Sequence, residues 1–385
     1  VRVALVHDWL TGMRGGERVL ERLCALFPGA DIFTLVHRPG STSRTIEARD
    51  IRTSVLQRVP GIARHYRALL PLFPHALERL DLSAYDAVVS SSHCVAKGVR
   101  SPRRTLHVSY VHTPMRYVWD LQAVYFPRER YPWPLSALVN AECARLRRWD
   151  AESSARPFAL FASSATVAAR IGRHWRRSAE VIHPPVDLTR FRPTRAPRRD
   201  YLLAAGALVP YKRVDLAIEA CRRLDRRLIV AGTGPLEREL RRSAGPRVEF
   251  RGWVSDDEMA CLLAGARGLL FPGEEDFGIL PVEAMASGCP VVALGRGGAL
   301  ETVGRGGSAG TLEALARDGV ARVAGGILFR DQTVEGLSAA IERLDEAAPD
   351  PDALVEAAEP FSTPRFDAAF MRAFDRARAS HAHAV

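Results

Sequence analysis

The chain has 385 residues, 47% hydrophobic and 25% charged. That balance excludes a disordered or fibrous polypeptide, and the length exceeds one ordinary α/β core, so two buried cores are expected. The formal charge of +10 is concentrated early: residues 1–180 carry 27 Lys and Arg against 15 Asp and Glu, and residues 181–385 carry 27 against 29.

In chain order, short apolar runs alternate with helix-period segments, the pattern of parallel sheets covered by helices. Strands are predicted at Val3–Val6, Ile32–Val36, Ala87–Ser90, Leu106–Val111 and Phe158–Ala162, with helices at Glu17–Leu26, Leu135–Glu152 and Ala165–Arg173. The proline-bearing segment Ile182–Pro197 interrupts the pattern and marks a hinge. The alternation resumes with strands Tyr201–Ala205, Leu228–Ala231, Val248–Phe250, Gly268–Phe271 and Val291–Leu294. The helices between them are Val214–Leu224, Leu236–Ser243, Asp257–Ala266 and Val282–Ser287. A last helical pattern covers Phe366–Arg378, and the small, polar tail Ala379–Val385 is expected to fray. Two Rossmann-like domains are predicted, residues 1–187 and 188–359, facing each other across a cleft.

No apolar run approaches the ~18 residues that cross a bilayer, and the opening residues show no cleavage pattern, so a cytoplasmic protein is expected. Arginine clusters at residues 100–104, 145–148 and 173–177 suit nucleic acid, anionic lipid or a phosphorylated acceptor, or simply form a solvated surface. The stretch Val59–Leu80, apolar with Arg64, Arg67 and Arg79, suits either a membrane surface or a buried helix pair. No nucleic-acid motif accompanies the charge, and no nucleic acid partner is expected. The six cysteines are scattered singly and no metal-ligand spacing occurs, so no metal site is expected.

The segment Gly273–Glu283 follows a strand and opens a helix. Pro281 suits a first helical turn, and the amides of Gly278, Ile279 and Leu280 form an anion site at a helix N-terminus. Glu275 and Glu283 flank it and can each accept hydrogen bonds from vicinal hydroxyls, as in sugars and riboses; acidic residues near helix starts also simply complement the dipole. Gly232 and Gly234 follow a strand and allow backbone approach to a phosphate or base, or only a tight turn. Gly15 and Gly16 follow the first strand in the same way. Lys212 can neutralise a diphosphate, or simply be solvated. His112 ends a strand, a position that suits a cleft or a bond to a neighbouring loop. His7, His93 and His183 show no partner pattern.

Taken together, these residues resemble the retaining glycosyltransferases of family 4, which have the two-lobed α/β GT-B fold. Glu275 and Glu283 match that family's E-x7-E pair. Gly15-Gly16-Glu17-Arg18-Val19-Leu20 and His112-Thr113-Pro114-Met115-Arg116-Tyr117-Val118-Trp119-Asp120 look like bacterial GDP-mannose-dependent mannosyltransferases of surface polysaccharide synthesis. The resemblance implies that Glu283 binds the ribose, Glu275 the transferred sugar and Lys212 the diphosphate. It further implies that the amides of Phe277, Gly278, Ile279 and Leu280 bind sugar and phosphate, that the backbone near Val254 meets the base, and that His112 contacts the hexose. Gly15 and Gly16 would let the first lobe close on the diphosphate, and the helix in residues 360–385 would return to that lobe. The implied partners are a nucleotide-sugar donor and a glycan or lipid-linked acceptor; the Arg-rich first half would in addition suit contact with an anionic membrane at its inner face. No cofactor and no metal is implied. Many relatives carry Gly-Arg where this chain has Gly206-Ala207, so one positive charge is missing; Arg213 is the nearest substitute. A UDP- or ADP-sugar donor with a small-molecule acceptor, or donor binding with little transfer, are the alternatives.

Overall fold

The computed structural model describes residues 1–384 except 128, 130, 195–197, 306–308 and 347; the end of the proline-bearing hinge segment, through Pro197, thus lies outside the described residues. The chain forms two compact units, Val1–Pro185 with Phe366–Val385, and Val186–Arg365.

The first unit is built on seven parallel strands: β1 (Val3–His7), β2 (Asp31–Thr34), β3 (Ile51–Thr53), β4 (Ala87–Ser92), β5 (Leu106–Val111), β6 (Ala159–Ala162) and β7 (Glu180–Val181). Their order is β3-β2-β1-β4-β5-β6-β7. Strands β1, β4 and β5 are buried along their whole length, which is why they read as near-continuous apolar runs rather than alternating ones. The order reverses between β1 and β4, so the chain segments leaving these two strands diverge and leave room at their carboxyl ends. Register sets His7 opposite Ser91 there.

One face of this sheet is covered by helices Gly15–Leu26 and Thr363–Ala382, with Val19, Leu20, Leu23, Phe366, Phe370 and Phe374 packed against Leu5, Val89 and Tyr110. The last helix therefore belongs to the first unit, held also by the Arg22–Asp367 and Arg376–Glu180 pairs. It runs through Ala382 rather than fraying from Ala379. The other face is covered by Tyr66, Phe73, Leu77, Met115, Val118 and Leu146. Within Val59–Leu80 the chain forms short turns, Ile62–His65, Tyr66–Leu72 and Phe73–Glu78, and buries Ile62, Tyr66, Phe73 and Leu77 in that core. Among the described residues, no helix is long and apolar enough to cross a membrane.

The second unit repeats the plan with β8 (Leu202–Ala205), β9 (Leu228–Ala231), β10 (Val248–Gly252), β11 (Gly268–Phe271), β12 (Val291–Leu294), β13 (Val320–Val323) and β14 (Gly326–Phe329), ordered β10-β9-β8-β11-β12-β14-β13. All neighbours are parallel except the β13/β14 hairpin. This hairpin and helices Ala309–Asp318, Val334–Glu346 and Pro351–Ala358 occupy a stretch for which the sequence pattern predicts no element. Val186 pairs with Ser362, through Val186 N–H to the Phe361 carbonyl at 3.0 Å and Thr363 N–H to the Val186 carbonyl at 3.2 Å. This bridge holds residues 359–365 to the start of the second unit, so the division falls after Pro185 and after Arg365.

Candidate functional site

At the carboxyl edge of the second sheet, three loops are tied by backbone hydrogen bonds. Gly206 N–H donates to the Ala231 carbonyl at 2.9 Å, Leu208 N–H to Thr233 at 2.9 Å, and Gly232 N–H to Gly252 at 2.6 Å. Glycine is required for this approach. A Cβ on Gly232 (φ +139°) would lie 1.8 Å from the Gly206 carbonyl oxygen, and one on Gly234 would lie 2.4 Å from that of Leu208. The glycine pair is thus accounted for by loop-on-loop packing in addition to any ligand it faces.

The loop after β11 meets the same edge. Gly273 lies against the short turn Pro210–Lys212, where a Cβ would come within 2.6 Å of the Tyr211 oxygen and 2.8 Å of Lys212 Cα. That contact brings Glu275 to Lys212, with Oε1 2.5 Å from Nζ and both side chains about one-fifth exposed. The Lys212 ammonium also sits 5.8 Å from the Phe271 ring centre. From the other side the loop is backed by Gly297 and Gly298: Gly298 N–H donates to the Glu275 carbonyl at 2.8 Å, and a Cβ there would lie 2.3 Å from Phe277 Cα. Phe277 is buried with its ring 5.4 Å from that of Phe361.

Gly278 takes the left-handed conformation (φ +85°) that starts helix Ile279–Ala286. The amides of Gly278, Ile279 and Leu280 lie at a helix start that no preceding helical carbonyl reaches, with the positive dipole end beside them. Glu283 is 8% exposed and one turn below Ile279, on the same helix face. Val254 is partly buried against the unit's core. Arg213, itself in a left-handed conformation, is turned onto Asp215, with contacts at 2.9 to 3.2 Å; its charge is committed locally. Ala207 is exposed on the neighbouring loop.

In the first unit the site residues belong to a buried polar cluster that the sequence pattern does not predict. Asp8, fully buried, accepts the backbone N–H groups of His93, Cys94, Val95 and Ala96 at 2.6 to 3.0 Å, and its Oδ2 lies 3.0 Å from His93 Nδ1. Burial raises and these partners lower the Asp8 pKa, and the net shift is down. His7, His93 and His112 gather within 6.5 Å, centre to centre. Burial, with His93 and His7 close by, pushes the His112 pKa down to about 3. Gly15 begins helix Gly15–Leu26, and a Cβ on Gly16 would touch His7 and His112 at an ordinary 3.5 to 3.6 Å. Polar residues in otherwise apolar strand ends, His7-Asp8 and Ser90-Ser91-Ser92-His93, were the available signal. Their partners are more than 80 residues apart, which no local pattern reveals. Among the described residues, no group of three or more His, Cys, Asp or Glu side chains is placed to hold a metal ion.

Residues 199–346 match the family described as Glycosyl transferases group 1. The chain is 37% identical to a GDP-mannose-dependent alpha-(1-6)-phosphatidylinositol dimannoside mannosyltransferase of Mycobacterium tuberculosis, over 27% of this chain and 32% of that protein. It is 34% identical to O-antigen chain mannosyltransferase C of Escherichia coli, over 22% of this chain and 24% of that one. It therefore spans a third or less of the length of these relatives. Among solved structures, Anabaena HepE in complex with UDP and glucose superposes with a TM-score of 0.69 at 16% identity, over 97% of this chain and 99% of that one. Sucrose-phosphate synthase of Thermosynechococcus elongatus gives 0.70 at 16% identity, over 99% and 100%. These two likenesses are of fold.

Proposed function

From a chain that belongs, through its second unit, to the family 4 glycosyltransferases, we propose an enzyme that transfers a mannose-like hexose from a GDP-linked donor to a glycan or lipid-linked acceptor, with retention and without a metal. The observation that carries this reading is the Lys212–Glu275 pair, 2.5 Å apart beside the start of helix Ile279–Ala286. An ion pair this far from solvent adds little net stability, because desolvation of the two charges offsets their attraction. Beside a helix N-terminus it offers an ammonium for a leaving diphosphate and a carboxylate for sugar hydroxyls.

Departure of a nucleoside diphosphate from an anomeric carbon leaves positive charge on the sugar and negative charge on the phosphate. Lys212 and the amides of residues 277–280 oppose the second charge. One such preorganised donor is worth on the order of 3 kcal/mol in the transition state. Glu283, buried one turn into the helix, suits the ribose hydroxyls, and the backbone at Val254 suits the base. His112 suits the hexose, and Gly15 and Gly16 suit the diphosphate. The mannosyltransferase relatives favour mannose, and the GDP-mannose dependence of the first favours GDP. The basic first unit suits an acceptor bearing phosphate at an anionic, inner membrane face. Ala207 and the engagement of Arg213 with Asp215 favour one second reading, a protein that binds donor and transfers slowly.

The test is mass spectrometry of nucleotide release and transfer with GDP-mannose, UDP-glucose and ADP-glucose, for the native chain and Glu275→Ala, with and without EDTA. GDP-mannose should be consumed fastest, with EDTA inert and Glu275→Ala reduced on the order of a hundredfold. Preference for UDP- or ADP-sugar overturns the donor assignment. Tight binding without turnover of any donor establishes the second reading.

A further inference from the structure

A line of polar side chains in the first unit has no task in the transfer chemistry described so far. Glu17 accepts the Arg14 backbone N–H on Oε2 at 3.0 Å, and its Oε1 lies 3.7 Å from His7 Nε2. His7 Nδ1 is 3.1 Å from Ser91 Oγ, and that oxygen is 2.8 Å from His112 Nε2. Glu17, His7 and Ser91 are buried, whereas His112 is partly exposed. No protein group among the described residues hydrogen-bonds His112 Nδ1.

We propose that Glu17, His7 and Ser91 are positioning residues that fix the tautomer of His112, placing its proton on Nε2 and presenting a bare Nδ1 as acceptor to a hydroxyl of the donor's hexose, an inference that rests on the donor reading above. The direction follows from what each group can give. Glu17 Oε1 is too far from His7 Nε2 for a hydrogen bond, but a bare ring lone pair turned toward a buried carboxylate would be repelled, so the His7 proton lies on Nε2. A buried imidazolium facing a carboxylate would close to a charge-assisted bond of roughly 2.7 to 2.9 Å. At 3.7 Å that bond is not made. His7 Nδ1 is then an acceptor and takes the one hydroxyl proton of Ser91. With that proton used, Ser91 Oγ can only accept from His112, and the His112 proton is placed on Nε2.

The groups around the line do not compete. Asp8 is occupied by four backbone N–H groups and His93 Nδ1. Tyr110, whose ring is 5.2 Å from that of His112, donates its hydroxyl to the Ile182 carbonyl at 2.8 Å. Because Glu17 also holds the Arg14 amide, one carboxylate governs both the turn before Gly15 and the proton order at His112. A bare ring nitrogen selects a hydroxyl donor, which is what a hexose offers and a phosphate oxygen does not.

Long-range proton–nitrogen correlation on the ¹⁵N-histidine-labelled native chain, without donor and near neutral pH, reads the tautomer directly. His112 should show a protonated Nε2 and an acceptor-type Nδ1. Ser91→Ala should mix the two tautomers and lower kcat about tenfold, the loss of one ordinary hydrogen bond, while Ser91→Thr restores both. A native His112 protonated on Nδ1, or an unchanged tautomer in Ser91→Ala, overturns the assignment. The spectrum needs no substrate, so failure of every donor to react would sink the transfer reading while this result is still read independently.

Discussion

The two units arrange their first five strands in the same order and differ only in the last two, yet they position their loops by different means. All eleven histidines of the chain lie in the first unit and none in the second. Among the described residues, the first interior also buries Asp8, Glu17, Lys97 and Asp150, whereas Glu283 is the one buried charged side chain of the second. In the second unit the loops are set by backbone contacts that only glycine permits, at Gly232, Gly234, Gly273 and Gly298. One sheet plan can thus carry its site on side-chain hydrogen bonds or on main-chain apposition. The two solutions fail under different changes.

The sharpest break should come from Gly232→Ala. Its Cβ would sit 1.8 Å from a carbonyl oxygen, in a conformation that L residues rarely adopt. We expect a loss of roughly 5 kcal/mol or more, confined to the second unit and seen as selective loss of hydrogen-exchange protection in β8 and β9. Gly16→Ala, meeting only ordinary contacts, serves as the comparison and should leave the first unit folded.

In the first unit the corresponding break is Lys97→Met. Lys97 Nζ lies 2.7 Å from Asp150 and 3.0 Å from Ser153, and the indole N–H groups of Trp119 and Trp175 each reach Asp150 at 2.8 Å. Removing the ammonium strands a buried carboxylate, at a cost of about 3 to 5 kcal/mol in denaturant unfolding. Lys97→Met combined with Asp150→Leu should recover part of that loss, which distinguishes an uncompensated charge from lost packing.

The smallest effect is acid sensitivity. Burial, aided by nearby positive charges, pushes His107 and His112 down to about 3. The unfolded chain, with histidines near pH 6.5, therefore binds more protons than the folded one between about pH 6.5 and 3. Stability falls as pH falls through that window, and the lowered Asp8 and Glu17 pKa values act in the same direction at lower pH. Between pH 7 and 6 the two histidines amount to about 1 kcal/mol. Hydrogen exchange should weaken in β4 and β5 and stay level in the histidine-free second unit. Equal weakening in both would break the comparison.

Much of the fold was legible. Strands β5, β9, β11 and β12 have the bounds read from their apolar runs, because strands buried on both faces carry an unbroken hydrophobic signal. The β13/β14 hairpin and the helices around it were not legible: β13 is half exposed, with Arg322 facing solvent, and four-residue strands give little pattern. The glycines were visible as candidates, but their packing partners were not. Gly232 is demanded by a neighbouring loop 26 residues earlier, whereas Gly16 is not demanded by any protein contact.

By itself, then, the sequence determined the alternation of strands and helices, the two-unit plan and the acidic pair at Glu275 and Glu283. Such features are written in local periodicity and spacing. Only the tertiary structure decided that Lys212 meets Glu275, that Arg213 turns to Asp215, and that Glu17, His7, Ser91 and His112 form one line. Hydrogen-bond direction and ion pairing act over about 3 Å, and parallel strands bring together residues that lie far apart along the chain.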